Sequence, residues 1–469
     1  MGDLLEVQWF RSATVGVSSG SGSSVLCDPW VTDGAFLGSW YHFPQLKGFE
    51  FQALLDQKWD ALYISHIHAD HFDRKFVSAL ARAQPGCVAI IPDFAHAWLR
   101  RALENCGFSG DRLQLLPSGT SVDIGDVTIT VFVADHCDPD MCGVSLPCHT
   151  QDTRMAAFDS VAVFEADGKK IVNANDALAV ASTAKVLERI GAVDLLLGHY
   201  GGAGPFPQTF VDIPRETKKA KAATLAQGFL RRLTAAADAL QATYVMPFAG
   251  HYVLGGRLAA LNEFRSVVTL SEAIKWLGKK SQAQPVALAP FGRFDVSTGQ
   301  ASSRWEEPSP EETKDYLSRI SRKVFPYEKS SPEWLSAEEE LEEALSNVAD
   351  EYRRRLSLGE PETSYRLSIE TDRVSGMIDF EGKTTKVQMG TLPAMLDSET
   401  RLSCHANLLK GLIQRAPGFS GFTPMHFNQA EIGSHFEWQR NGEFNEIVRC
   451  LNFMQAGKTP AQGRTMVSL

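Results

Sequence analysis

The sequence predicts an α/β fold followed by a smaller α+β domain, on three observations. Over residues 1–300, short apolar runs of strand character alternate with helical stretches, the order that packs helices against sheets. Several of these runs stop abruptly at a histidine or an aspartate. From Ser364 the pattern changes to alternation, in Tyr365–Ile369, Ser375–Phe380 and Thr385–Met389, which describes a small sheet. The expected division is 1–300 for the α/β domain, 301–360 for a helical linker and 361–469 for the α+β domain.

Taken in order, Leu5–Ser18 and Ser24–Val31 are expected strands joined by the turn-rich Ser19–Ser23. The loop after them carries Phe36, Trp40, Tyr41 and Phe43, and such aromatics more often pack locally than wall a substrate. Ala61–Ile64 is the next strand. Phe72–Ala83 and Phe94–Cys106 are expected helices around the strand Val88–Pro92, and Leu113–Leu116 and Val122–Val133 are further strands. Ser160–Glu165 and Lys170–Ala174 read as a hairpin turning at Asp167-Gly168. A helix Ala177–Ile190, a buried strand Val193–Gly198, a helix Arg215–Gln241 and a strand from Tyr244 follow. Gln284–Val296 closes this domain. Trp305–Leu358 is charge-rich and helical, with Glu338–Ala344 a solvated acidic face. Leu402–Arg415 is expected to be a helix, and His405, His426 and His435 read as ordinary polar residues.

Composition narrows the function. Of 469 residues, 44% are hydrophobic and 22% charged, an ordinary globular balance. A net charge of −10 with no long basic run argues against nucleic-acid or anionic-membrane partners. No apolar run approaches the ~20 residues of a membrane span. Met1–Glu6 lacks the basic and apolar regions of a signal peptide, and the Ser/Thr of a myristoylation site. Eight scattered cysteines read as reduced thiols of a cytoplasmic protein.

The chemistry-bearing stretch is Ser65-His66-Ile67-His68-Ala69-Asp70-His71, at the end of Ala61–Ile64. In an extended segment His66 and His68 point to one side, because side-chain direction repeats every two residues. Asp70 and His71 follow where the chain must turn, and can address a second ion. Neutral imidazole and carboxylate suit zinc, iron or manganese, and four such groups within six residues rarely coincide. Val127–Val133 then leads to His136, Lys170–Ala174 to Asn175-Asp176, and the strand from Tyr244 to His251. The alternative for Asp176 is the N-cap of the helix after it, where Asp is also favoured. His199, after Val193–Gly198, competes with the favoured His251. The glycines of Tyr200–Gly204 permit close backbone approach to a ligand. Cys137, Cys142, Cys148 and His149 match neither a Cys-x-x-Cys zinc pair nor a Rieske spacing, and read as a structured loop. Arg154, in the same insertion, suits an anionic group.

The stretch resembles the His-x-His-x-Asp-His signature of the metallo-β-lactamase superfamily. That resemblance implies an αββα sandwich around a one- or two-metal site. It further implies metal ligands His66, His68, Asp70, His71, His136, Asp176 and His251, with Asp176 bridging two ions. Asp70 and Tyr200 are the implied catalytic residues, Tyr200 acting from behind the ligands. Cys27-Asp28-Pro29-Trp30, Ile64–His71, Asn175-Asp176, Tyr200–Ala203, Pro247–Gly250 and Asn428–Gly433 together are similar to the CMP-N-acetylneuraminate hydroxylase branch and its bacterial relatives. That family carries an N-terminal Rieske iron–sulfur domain, whereas this sequence starts on the sandwich with no Rieske motif.

The resemblance implies two enzyme readings. The favoured one is a non-heme diiron monooxygenase that hydroxylates a small molecule, CoA-, carrier- or nucleotide-linked, with O₂. Its reductant comes from a separate ferredoxin or reductase. The other is a hydrolase with two zinc or manganese ions, acting on a lactone, ester, thioester or phosphodiester through a metal-activated water. A metal or ligand sensor is a third class, which a full set of seven ligands disfavours.

Overall fold

The computed structural model describes residues 5–94, 97–133, 159–178, 184–329, 337–414 and 427–454. Two sheets form the centre of the first domain. One has the spatial order β17 (Gln300–Ala301), β16 (Arg293–Asp295), β1 (Leu5–Arg11), β2 (Thr14–Ser19), β3 (Ser24–Cys27), β5 (Ala61–Tyr63), β6 (Val88–Pro92) and β7 (Leu113–Leu116). The other runs β15 (Gln284–Pro285), β13 (Tyr244–Phe248), β12 (Leu195–His199), β11 (Lys169–Asn175), β10 (Ser160–Ala166), β9 (Val127–Val133) and β8 (Ser121–Ile124). A small ribbon pairs β4 (Trp40–His42) with β14 (Tyr252–Leu254).

Two-residue alternation decides which side chains meet. In β10, Ala162 and Phe164 join Val7, Val15, Ile129 and Leu197 in the layer between the sheets. Val161 and Val163 point the other way, onto Leu230, Leu233 and Leu277 of the helices Arg215–Ala239 and Leu270–Lys280. Leu26, Leu62 and Ile91 of the first sheet pack outward on Phe76, Leu80, Leu99 and Leu103 of the helices Arg74–Ala83 and Trp98–Cys106. The result is the αββα sandwich expected from the sequence.

Local chemistry moved several expected boundaries. The strand expected over Ser24–Val31 stops at Cys27, because Asp28 adopts a left-handed φ of 44°. Asp73 caps the helix after the His-rich stretch, accepting from Lys75 N and Phe76 N, so that helix begins at Arg74. Val122–Val133 is a hairpin that turns at Gly125, φ 61°, rather than one strand.

The second domain is a five-stranded sheet ordered β20 (Thr384–Met389), β19 (Ser375–Gly382), β18 (Thr363–Glu370), β21 (Glu399–Ser403) and β22 (Glu437–Asn441). Leu402 lies in β21, paired in parallel with Ile369 of β18, so the helix expected over Leu402–Arg415 starts only at Ala406. His405 caps it, accepting from Asn407 N. The expected linker 301–360 does more than connect. Its helix Ala337–Ser357 buries Leu341, Leu345, Val348 and Tyr352 in one cluster with Tyr365, Leu367, Ile378 and Phe380. Its acidic residues Glu338, Glu339, Glu342 and Glu343 face solvent. The same cluster takes in Trp30, Phe36, Trp40 and Tyr252 of the first domain, so the two domains share a core.

Candidate metal centre

The centre forms where strands end. His66, His68, Asp70 and His71 follow β5, Asp176 follows β11, and His199 closes β12. His66, His71 and Asp176 offer ligand atoms that all lie within 4.8 Å of one another. Asp176 Oδ2 is 3.5 Å from His71 Nε2 and 3.9 Å from His66 Nε2. Its other oxygen is 3.9 Å from His199 Nδ1. His68 Nδ1 meets His66 Nε2 at 2.9 Å, and Asp70 Oδ2 lies 3.7 Å from His71 Nε2.

Each imidazole is braced from behind. His66 Nδ1 is 2.9 Å from Ser65 Oγ and 3.4 Å from Asp159 Oδ1. His71 Nδ1 is 3.1 Å from Asp28 Oδ2. Asp28, fully buried, also accepts from Ser65 N at 2.7 Å and Ser65 Oγ at 2.8 Å. His68 Nε2 is 2.9 Å from Asn428 Oδ1, and His199 Nδ1 donates to the Asn175 carbonyl at 2.8 Å. Metal-binding histidines are held in this way, with the second ring nitrogen on an acceptor. His71 Nε2 is buried without a hydrogen-bond partner, its approach to Asp176 being too long for a good one. Such an orphan costs about 1–3 kcal/mol, and a cation between His66, His71 and Asp176 would satisfy it. The donor set therefore fits a bound metal.

The electrostatics agree. Burial pushes His68 down to about 4, and burial with the neighbouring His71 and His68 lowers His66 well below its usual range. Burial also lowers His199. These three are neutral donors. Burial opposes a charge on His71 too, but the Asp70 and Asp176 carboxylates outweigh it and raise His71 well above its usual value. Partial burial would raise Asp176, yet His71 beside it holds that carboxyl below the usual range. Asp70 is pushed up to about 6, chiefly by burial.

His136 lies outside the described residues, as do Cys137, Cys142, Cys148, His149 and Arg154. His251, favoured from the sequence as the last ligand, packs tilted against the Phe43 ring at 4.5 Å, and its buried Nδ1 has no partner. It lines a small cavity with Trp9, Tyr200, Leu270 and Trp305. No hydrogen bond, ion pair or ring contact joins His251 or Tyr200 to His66, His71 or Asp176 among the described residues, whereas the His199 ring lies beside Asp176: its Nδ1 is 3.9 Å from Oδ1 while donating to the Asn175 carbonyl, so Nε2 is the nitrogen it could offer a metal. β12 and β13 are parallel neighbours. Both therefore deliver a histidine to one edge, and sequence alone does not say which turns inward. The glycines near Tyr200 also differ from expectation. A Cβ on Gly201 would sit 2.5 Å from the Gly250 carbonyl, and one on Gly250 would strike the Tyr200 ring, so they let two loops pack rather than admit a ligand.

Three residues of the centre escaped sequence reasoning: Asp28, Asp159 and Asn428. Asp28 carried a signal, as a carboxylate at a strand end inside Cys27-Asp28-Pro29-Trp30. Asn428 carried one too, inside the Asn428–Gly433 stretch of the resemblance, but only the tertiary fold brings it to His68. The loop aromatics Phe36, Trp40 and Tyr41 are buried, as local packing demands.

Residues 6–227 match the family model described as a beta-lactamase superfamily domain. This is a metallo-β-lactamase-fold domain. A Mycobacterium tuberculosis protein provisionally named a Rieske 2Fe-2S iron-sulfur protein is 31% identical over 233 residues, 48% of this chain and 40% of that protein. The cytidine monophosphate-N-acetylneuraminic acid hydroxylase of Asterias rubens is 24% identical over 209 residues, 44% of this chain and 28% of that one. The chain thus spans less than half the length of these relatives. Among solved structures, CmlA, a diiron beta-hydroxylase from Streptomyces venezuelae, superposes with a TM-score of 0.39 at 14% identity, covering 62% of this chain and 53% of that one. No helix among the described residues is long and apolar enough to cross a membrane.

Proposed function

We propose that the chain is a non-heme diiron hydroxylase of a small molecule, taking electrons from a separate iron–sulfur or ferredoxin-type donor. The observation that carries a metal centre is the set of four histidines, each braced from behind. The names of the relatives, a CMP-N-acetylneuraminic acid hydroxylase and Rieske 2Fe-2S iron-sulfur proteins, favour oxygen chemistry with an electron-transfer partner. In this reading His66, His68 and His136 hold one ion, while Asp70, His71 and His199 hold the other. Asp176 lies between them, and His199 takes the place the sequence assigned to His251. Two irons there would supply reductive activation of O₂, with R–H, O₂, two electrons and two protons giving R–OH and water.

The chain's own residues supply the surroundings. The Phe36 ring lies 6.0 Å from His68, with Trp40 4.6 Å behind Phe36 and Tyr252 stacked on Trp40 at 3.4 Å. These buried rings make one side of His68 apolar. A dinuclear hydrolase is the second reading, because the same donors accept zinc or manganese, which lower the pKa of a bound water.

Metal analysis of protein purified without added metal separates the two. The hydroxylase reading expects close to two irons per chain. Zinc alone, at full occupancy, contradicts it.

A further inference from the structure

We infer that Asn428, carried by the second domain, is a positioning residue of the metal centre: it fixes the tautomer of His68 and so couples metal binding to domain docking. This rests on the metal-centre reading above.

Donor accounting leads to it. A neutral imidazole carries one N–H. Ser65 Oγ spends its hydrogen on Asp28 Oδ2 at 2.8 Å, so towards His66 Nδ1, 2.9 Å away, it can only accept. The His66 proton therefore sits on Nδ1, so that Nε2, 2.9 Å from His68 Nδ1, is an acceptor. On the far side of His68, Nε2 faces Asn428 Oδ1 at 2.9 Å, and an amide oxygen only accepts. The His68 proton accordingly belongs on Nε2, and Nδ1 is an acceptor as well. With these tautomers the His66 Nε2 and His68 Nδ1 lone pairs are directed to one spot, as two ligands of one cation require. Removing the Asn428 oxygen frees the proton to move to Nδ1, where it would close the site with a His68–His66 hydrogen bond.

The helix bearing Asn428, Phe427–Ile432, is anchored on the same side of the centre. Phe427 packs on Phe436 at 4.7 Å. A Cβ on Gly433 would sit 2.8 Å from the Phe36 carbonyl, and His435 Nε2 donates to that carbonyl at 2.8 Å. Phe36 in turn faces His68. The second domain thus grips both the ligand and the loop beside it, and by reciprocity whatever tightens one must tighten the other.

The test uses the full chain, stripped of metal and titrated with iron(II) under nitrogen and with zinc(II) by calorimetry. Asn428→Leu keeps the shape without the acceptor, and Asn428→Asp keeps an acceptor oxygen. The expected result is 10- to 100-fold weaker binding at one site in N428L and affinity close to wild type in N428D. Hydrogen exchange over 427–435 should slow on metal binding in wild type and not in N428L. Should N428L fail to fold, Asn428→Ala replaces it. Equal affinities in wild type and N428L overturn the inference and leave the metal centre standing, as does N428D binding as weakly as N428L. A wild type that takes up no metal sinks the centre itself and the inference with it.

Discussion

Asp176 is where two local demands meet. As a bridging ligand it would serve both ions; as an N-cap it would serve only the helix that follows. Asp176→Ala is expected to lose most of the metal and all activity. A cap alone would cost about 1 kcal/mol of stability and leave the metal in place, so a D176A protein that retains both metals contradicts the bridging role. The histidines give a paired prediction. His199→Ala should lower metal stoichiometry. His251→Phe should leave it unchanged, and should not lower the melting temperature by more than a degree or two, because it replaces a buried ring with an unpartnered Nδ1 by an apolar one against Phe43. Metal loss on H251F with full occupancy in H199A would restore the sequence's preference. At this scale the sequence was most informative where chemistry is local. His66, His68, Asp70 and His71 are legible from spacing alone, whereas the residues that brace them, Asp159 and Asn428, lie 93 and 360 positions from their partners His66 and His68.

Among elements, the sandwich strands were legible because period-two alternation and apolar runs survive in a single sequence, as β10 and β11 show. Boundaries set by one residue's backbone were not: the left-handed Asp28 and the turn at Gly125 carry no periodic signal. The role of the helix Ala337–Ser357 was hidden too, because its apolar stripe fits a linker helix until the sheet beneath it is known. The stretch from this helix's domain to the loop at Phe36 gives a pH prediction. His435 is buried, accepts from the Tyr327 hydroxyl at 2.8 Å and donates to the Phe36 carbonyl. Burial pushes it down to about 3. The unfolded chain therefore binds the proton first as pH falls below 6.5, and stability is lost between there and pH 3, by up to about 1.4 kcal/mol per pH unit. Glu431, pushed up to about 7 by burial, works in the opposite direction, since the folded state keeps its proton longer. The comparison is thus between proteins: urea unfolding at pH 7.5, 5.5 and 4.5 should fall less steeply with acid in His435→Gln than in wild type. Identical slopes would show that His435 does not titrate on unfolding.

For the molecule as a whole, the proposal is that its metallo-β-lactamase-fold domain performs oxygenation rather than hydrolysis. In that reading the site needs an electron donor. The eight cysteines do not form an iron–sulfur pattern, and those described are free, four of them buried. The most direct measurement is to incubate the iron-loaded chain with a cell extract or a panel of acyl thioesters under ¹⁸O₂, with and without a reductase–ferredoxin couple, and to follow product masses. The account predicts a product heavier by one ¹⁸O atom that appears only when reductant is present. Cleavage that proceeds equally well without air or reductant, with its oxygen drawn from water, would contradict it.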